Sequence, residues 1–400
     1  MSPDRSVHGR TPPGLRPGAR IALDGLPLQV RSAGIARYTR ALVGAMARLR
    51  PDARFLLLGL SQLARTVLRA VPPDAELALP TNVEWRRSSL YPLITGYPLP
   101  LPRIVPLRAA TGRVDLFHAT NYAMPRAPGV PLVVTVHDLA LLRHPDLGTP
   151  ALRRLVARTA YSVREARRVI ADSEATRRDV IELLGAAPGQ VRTVPLGCDA
   201  LFTPGDAGAA RRAVARHLGI AAPYVLHVGT IEPRKNLERL VVAFGRARRE
   251  YRLPHVLVLA GAPGWGIEAV RARIAREGLA DVVRLTGPVS GDQLLVLYRA
   301  AVLFAFPSLY EGFGLPALEA MACGTPVLSS NAAALPEVVG EAALMVDPCD
   351  DDALAAAIGR GISDSALRQH LQRAGPARAV RFTWERCAVA TWAVYEDALR

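Results

Sequence analysis

Short apolar runs alternate with amphipathic stretches along nearly the whole chain. In the first half, runs at Arg20–Asp24, Arg54–Leu60, Asp115–Ala119, Leu132–His137, Arg168–Ala171 and Val191–Pro195 predict strands. Helical periodicity lies between several of them, as at Gly34–Leu49 and Ala151–Ala166. The second half predicts strands at Tyr224–Val228, Val256–Ala260, Val282–Thr286, Val302–Phe306, Pro326–Ser329 and Ala343–Val346. Helices are predicted there at Asn236–Glu250, Gly266–Glu277, Asp292–Ala300, Pro316–Ala322 and Asp351–Ala374. Near-continuous apolar strands separated by helices mean parallel sheets covered on both faces. Residues 92–106 hold too many prolines for a helix interior or a central strand and read as an irregular connection.

Two such alternating units in 400 residues predict an α/β protein of two doubly wound, Rossmann-like domains. The expected division is a disordered tail at 1–19, a first domain at 20–196 and a second at 197–378. Residues 379–400 would follow as a C-terminal piece, the join lying near Pro195–Pro204. The helix Trp384–Leu399 has no place in the second sheet and is expected to return to the first domain. Ligands of such sheets sit outside the carboxyl ends of the strands, here in the cleft between domains.

Charge adds an asymmetry. The chain carries a formal +15, with 28 arginines against 15 acidic residues in 1–200 and 22 basic against 20 acidic residues in 201–400. A basic half beside a nearly neutral one suggests an anionic ligand or surface, while GC-rich codon usage is the plainer explanation of the total. Lys235 is the only lysine. Cys198, Cys323, Cys349 and Cys387 show no CxxC spacing, which argues against a disulfide scaffold or a zinc site. The polar N-terminus has no apolar signal-peptide core, and no run of about 18 uncharged apolar residues occurs. A cytoplasmic protein is expected.

The densest chemical signal is Pro307–Val327, PSLYEGFGLPALEAMACGTPV. A strand ends, a glycine-rich loop carries Glu311, and a helix opens at Pro316 with Glu319 expected in its first turn. The backbone N–H groups of Gly312, Phe313, Gly314 and Leu315 suit phosphates, and two carboxylates suit sugar diols. The plainer alternative is that Glu319 only favours a helix N-terminus by its charge. The loop also matches G-x-G-x-x-A, but it follows a fourth strand rather than a first, and no acidic residue closes the next strand to hold a ribose. The second signal is HVGTIEPRKNL, His227–Leu237. Its strand ends in Gly229, and Arg234 and Lys235 precede a helix expected to be capped by Asn236. Two adjacent cations there are placed to neutralise a diphosphate leaving group, and the lone lysine hints at a need for a compact ammonium.

These stretches together resemble family 4 of the retaining, nucleotide-sugar-dependent glycosyltransferases, which have the GT-B fold. Glu311 and Glu319 stand in that family's E-x7-E pattern, and GTIEPRKNL is similar to its mannosyltransferase-like branch. SAGIARYTR, VVTVHDL, VIADSEATRRDV, VRTVPLGCD and LTGPVSGDQLLVLY extend the likeness from residue 20 to 400. The resemblance implies that Arg234 and Lys235 bind the donor diphosphate, that Glu311 holds donor-sugar hydroxyls, and that Glu319 holds the ribose or sugar. It implies that Val289 meets the base, that Gly34 lets the first domain's loop approach the phosphates, and that His137 lies by the donor sugar. Asp138 would orient His137, and His118 and Asn121 are candidates for the acceptor side. Two departures stand out. Thr230 and Ile231 occupy a stretch where many relatives carry a second cation, and Ala33-Gly34 replaces a glycine pair.

The implied reaction is hexosyl transfer with retention, from GDP-mannose by branch likeness, to a saccharide or lipid-linked acceptor, with no cofactor and no metal. An anionic membrane face is an expected further partner, with Gly34–Leu49 as the amphipathic basic helix that would lie on it. A nucleotide-sugar epimerase or a phosphorylase on the same fold is the alternative. A basic nucleic-acid binder, based on stretches such as RRLVARTAYSVREARR, is more remote, since no nucleic-acid motif or aromatic platform accompanies the arginines.

Overall fold

In a computed structural model, the described residues are 17–29, 33–67, 79–96, 103–121 and 124–400. The disorder expected at 1–19 falls outside this set up to residue 16, while residues 17–19 are ordered: Ala19 is buried and its carbonyl accepts the Arg54 N–H at 2.8 Å. The first sheet comprises β1 (Arg20–Asp24), β2 (Arg54–Leu60), β3 (Val83–Ser88), β4 (Leu116–Ala119), β5 (Leu132–Val136), β6 (Arg168–Ala171) and β7 (Val191–Thr193). The second comprises β8 (Tyr224–Val228), β9 (Val256–Ala260), β10 (Val283–Gly287), β11 (Leu303–Phe306), β12 (Val327–Ser330) and β13 (Leu344–Val346). All pairings are parallel, in the orders β3-β2-β1-β4-β5-β6-β7 and β10-β9-β8-β11-β12-β13.

Both orders reverse direction once, between β1 and β4 and between β8 and β11, and a crevice for ligands opens at such a switch point. The central strands are buried on both faces, as the apolar runs require; β5, β9 and β11 are buried throughout. β3 was not expected. It is an edge strand, VEWRRS, with only Val83 buried, so it lacks the apolar run that marks its neighbours.

Two helix readings change. The stretch expected as one helix at Asp351–Ala374 is two, Asp351–Ser363 and Ser365–Ala379, because Asp364 turns to extended backbone and its carboxylate accepts the Leu367 N–H. Asn236 does not cap with its side chain. It adopts a left-handed φ of 59°, and its amide donates to the carbonyls of Pro307 and Pro348.

The chain crosses between lobes twice, side by side. Cys198 forms a bridge with Thr383, and its N–H donates to the Phe382 carbonyl at 3.0 Å. The helix Trp384–Leu399 packs on the first lobe, against the helix Ala33–Leu49 and strands β5 and β6. Trp392 and Tyr395 are fully buried there, and Asp397 takes two hydrogen bonds from Arg168. The helix Ala33–Leu49 uses its apolar side in this core through Tyr38, Leu42, Val43 and Met46, so it offers no apolar face to a membrane. The arginine-rich helix Pro150–Glu165 is likewise committed. Arg153 and Arg158 donate to the carbonyls of Pro145 and Gly96, and Arg164 lies 5.6 Å from the centre of the Tyr161 ring. Among the described residues, no helix is long and apolar enough to cross a membrane.

Candidate active site

The β8–β11 switch point gathers the charged motif. A 3-10 turn, Pro233–Lys235, follows β8 and aims two cations at the loop after β11. Leu309 N–H donates to the Arg234 carbonyl at 2.8 Å, which locks the two loops together. Glu311, 6% exposed, accepts from Lys235 Nζ at 2.6 Å and from Arg234 Nη1 at 2.7 Å on separate oxygens. Arg234 also donates to the Tyr310 carbonyl and, through Nε and Nη2, to Glu232. Burial would raise the Glu311 pKa, but the Arg234 and Lys235 charges hold it down at about 2. Burial pulls the Lys235 pKa below its ordinary value against the opposing pull of Glu311. For Arg234 burial also works downward, yet Glu311, Asp138 and Glu232 drive its pKa upward.

Gly229 leaves room for this lysine, since a β-carbon there would lie 3.3 Å from Lys235 Cε. His227, fully buried beneath it, donates from Nδ1 to the Ala305 carbonyl, and burial first, then Lys235, lowers its pKa to about 4. It is neutral at physiological pH, and its Nε2 is an acceptor without a partner.

The glycine loop forms the wall between lobes. Gly312, Phe313 and Gly314 are buried, Leu315 is half-buried, and Gly314 carries a positive φ of 106°. A β-carbon on Gly314 would meet Leu335 Cδ2 at 2.5 Å, so glycine is required there twice over. The Gly312 carbonyl accepts from Thr176 of the first lobe at 3.3 Å. Glu319 lies one turn deeper than its expected place, within the helix Leu315–Ala322, whose first turn holds no acidic residue. Its burial, at 2% exposure, is therefore not explained by a helix N-terminus. It accepts from the Tyr298 hydroxyl at 2.9 Å and from Arg37 of the first lobe. Val289 stands half-buried just before the helix Gly291–Ala300, whose start is fixed by a capping box of Ser290 and Gln293.

From the first lobe, His137 follows β5 into the cleft. Its Nδ1 lies 2.7 Å from Asp172 Oδ2 and its Nε2 2.9 Å from the Thr120 carbonyl, which can only accept. Nε2 therefore carries a proton in every state of this arrangement. Burial disfavours a charged His137, but the Asp172 charge and hydrogen bond, with the Thr120 carbonyl, raise its pKa above the ordinary value.

Asp172, not Asp138, orients the ring. Asp138 turns its carboxylate to the Ala140 N–H instead. Asp172 was missed by sequence reasoning, although parallel pairing of Val136 with Ala171 sets His137 and Asp172 side by side just past the register. His118 does not face an acceptor: it is fully buried, with Nδ1 2.7 Å from the Tyr395 hydroxyl and Nε2 2.8 Å from Thr135. Burial lowers its pKa to about 3, which makes it a neutral linchpin between the returning helix and β5. Asn121 is half-buried past β4 with a buried amide oxygen that has no partner. Gly34 is exposed near the start of the helix Ala33–Leu49 with open space around it.

Further contacts hold the lobes together over this site. Glu337 of the second lobe accepts the Glu174 and Ala175 N–H groups at the start of a first-lobe helix, both at 2.8 Å. The Tyr310 hydroxyl bonds Asp179, which also takes Arg143, and the Trp265 indole donates to the Leu147 carbonyl at 3.1 Å.

Comparison with known proteins places this architecture. Residues 32–200 match the profile described as Glycosyltransferase Family 4, and residues 217–378 match that described as Glycosyl transferases group 1. The O-antigen chain mannosyltransferase B of Escherichia coli is 32% identical over 309 residues, covering 76% of this chain and 80% of its own. The MMP alpha-(1->4)-mannosyltransferase of Mycolicibacterium hassiacum is 34% identical over 326 residues, covering 75% of this chain and 76% of its own. The D-inositol 3-phosphate glycosyltransferase of Acidothermus cellulolyticus is 38% identical, with 68% of this chain and 63% of its own covered. Among solved structures, sucrose-phosphate synthase from Thermosynechococcus elongatus superposes with a TM-score of 0.72 at 24% identity, covering 95% of this chain and 98% of its own. The lipopolysaccharide glycosyltransferase WaaG superposes with a TM-score of 0.69 at 15% identity, covering 94% and 98%. The two lobes and their switch-point cleft are thus those of the GT-B glycosyltransferases, and the chain belongs to glycosyltransferase family 4.

Proposed function

We propose that this protein transfers a hexose, with retention of configuration, from a nucleotide-diphosphate sugar to a saccharide or lipid-linked acceptor in glycan biosynthesis. The observation that carries the reading is the buried Glu311 carboxylate, fixed between Lys235 and Arg234 at the mouth of the second sheet. Such a carboxylate is ionised and rigid, a ready acceptor for donor-sugar hydroxyls, while the two cations beside it meet charge as it develops on a departing diphosphate. The reaction needs no metal in this scheme. As the glycosidic bond loosens, the acceptor hydroxyl approaches from the same face and passes its proton to a donor phosphate oxygen. His137 is a poor general base here, because its Nε2 proton is already given to the Thr120 carbonyl. It serves as a fixed wall and donor-side positive group against the sugar, and the contacts between lobes exclude water from the donor.

Mannose is the favoured sugar and GDP the favoured nucleotide, supported by two relatives that are named mannosyltransferases. An epimerase reading has no comparable support. A cytoplasmic protein resting on an anionic membrane face is the proposed setting, through surface arginines rather than an inserted helix. Thermal shift with GDP-, UDP-, dTDP- and ADP-sugars, on wild type and on Glu311→Ala and Lys235→Ala, tests the donor reading. Stabilisation of the wild type alone is expected; no stabilisation by any of the four would remove it. Retention is read from the anomeric NMR signal of the product, metal independence from activity in EDTA, and membrane contact from co-sedimentation that rises with anionic lipid.

A further inference from the structure

The carboxylates of Glu311 and Glu319 differ in what must happen before either can receive a ligand. The four charges around Glu311 (Glu232, Arg234, Lys235 and Glu311 itself) cancel formally, so Arg234 and Lys235 meet a diphosphate from a cluster with no net positive charge. Glu319 has both oxygens engaged, Oε2 by the Tyr298 hydroxyl and Oε1 by Arg37. A diol cannot be held by that carboxylate in its best geometry until one partner leaves.

The two partners are not equally free to go. Tyr298 is fully buried, edge-on to Phe202 and Phe304 with ring centres 5.7 and 5.5 Å away. Arg37 has a side chain 32% exposed. Apart from Glu319, it lies 3.9 Å from the Asp199 carboxylate and 5.7 Å from the Phe202 ring. Asp199 is itself taken by the Trp384 indole N–H at 2.7 Å. Arg37 is thus the more accessible partner and the one a ligand can displace. It projects from the start of the second turn of the helix Ala33–Leu49, three residues after Gly34 and on the same side. A ligand that sets its sugar on Glu311 and its ribose on Glu319 lays its diphosphate along the Gly312–Leu315 backbone between them. Arg37 stands at the Glu319 end of that span, opposite Arg234 and Lys235.

We propose that Arg37 is an exchangeable donor-binding residue, neutralising Glu319 in the empty cleft and moving to the diphosphate when ribose hydroxyls replace it. The proposal rests on the nucleotide-sugar reading above. It adds that the first lobe supplies a phosphate cation, and that this cation discriminates nucleoside diphosphates from nucleosides. A bare nucleoside must break the Arg37–Glu319 pair and gains nothing for it, whereas a diphosphate recovers the charge contact.

Calorimetric titration of the full chain with GDP, UDP, dTDP and ADP, each beside its own nucleoside, tests the exchange. For the diphosphate that binds wild type, Arg37→Met is expected to weaken binding at least about tenfold. The matching nucleoside should bind Arg37→Met as well as wild type or more tightly, which also shows that the variant is folded. Arg37→Lys should restore part of the diphosphate affinity. Equal weakening of nucleoside and diphosphate, or no change in either, overturns the exchange while leaving the donor reading intact. Failure of wild type to bind any of the four removes the donor reading, and the exchange with it.

Discussion

The backbone carbonyl of His137 in one lobe packs directly against Gly312 in the other. A β-carbon on Gly312 would overlap that oxygen and come within 2.8 Å of the Asp138 β-carbon. Gly312 has no left-handed φ, so alanine suits its own backbone and the clash arises only when the lobes meet. Gly312→Ala is therefore expected to melt within about 2 °C of wild type while kcat/KM falls by about a hundredfold or more. Small-angle scattering should show a larger radius of gyration, and an unchanged radius with full activity would count against lobe contact as the cause.

The His137–Asp172 pair gives a pH signature. Because Asp172 raises the folded-state pKa of His137, its stabilising contribution is complete below the ordinary histidine pKa near 6.5. That contribution fades as pH climbs through the raised folded value. In Asp172→Asn, burial is less opposed, so the imidazole should titrate lower than in wild type by NMR. The decline of unfolding free energy above neutral pH should flatten in the same variant.

Glu311 has the opposite sign. Its pKa is depressed to about 2, so its contribution is present above the ordinary value of 4.5 and is lost as pH falls through about 2. Glu311→Gln leaves Lys235 and Arg234 buried with less compensation, and a loss of about 3 kcal/mol in denaturant unfolding is expected at neutral pH. Donor-induced thermal stabilisation should vanish in the same variant.

Glu337 spans the lobes by capping a helix it does not belong to. Glu337→Ala removes two hydrogen bonds from the start of the helix Glu174–Leu184, one residue after Ser173, which itself follows Asp172. The loss should raise the donor KM about fivefold, with melting little changed, because it weakens closure rather than either lobe. An equal fall in melting temperature and no KM effect would mark Glu337 as purely structural.

Much of the fold was legible because buried parallel strands are written as uninterrupted apolar runs. β2, β6, β8 and β9 fall on the residues their runs predict. β3 escaped because an edge strand needs burial on few positions, and Asp364 escaped because one capping residue inside a long helical pattern carries no periodicity. For the site, local motifs brought out Glu311, Arg234, Lys235 and His137, all on loops after strand ends. What motifs could not show was who partners whom across the chain. Asp172 reaches His137 through strand register, Arg37 reaches Glu319 across the cleft, and His118 is removed from the cleft by Tyr395, 277 residues away.

The last of these pairings sets the order in which the molecule can be made. The first lobe's sequence emerges first, yet its core lacks Trp392 and Tyr395, and His118 lacks its hydroxyl partner, until the helix Trp384–Leu399 has been synthesised. The N-terminal lobe can thus be completed only once the chain's last helix has been made. Ending the chain before Trp384 should leave the second lobe folded and the first protease-sensitive, a pattern limited proteolysis would read directly. A gene cut between the two lobes is therefore expected to leave the first lobe without its last helix.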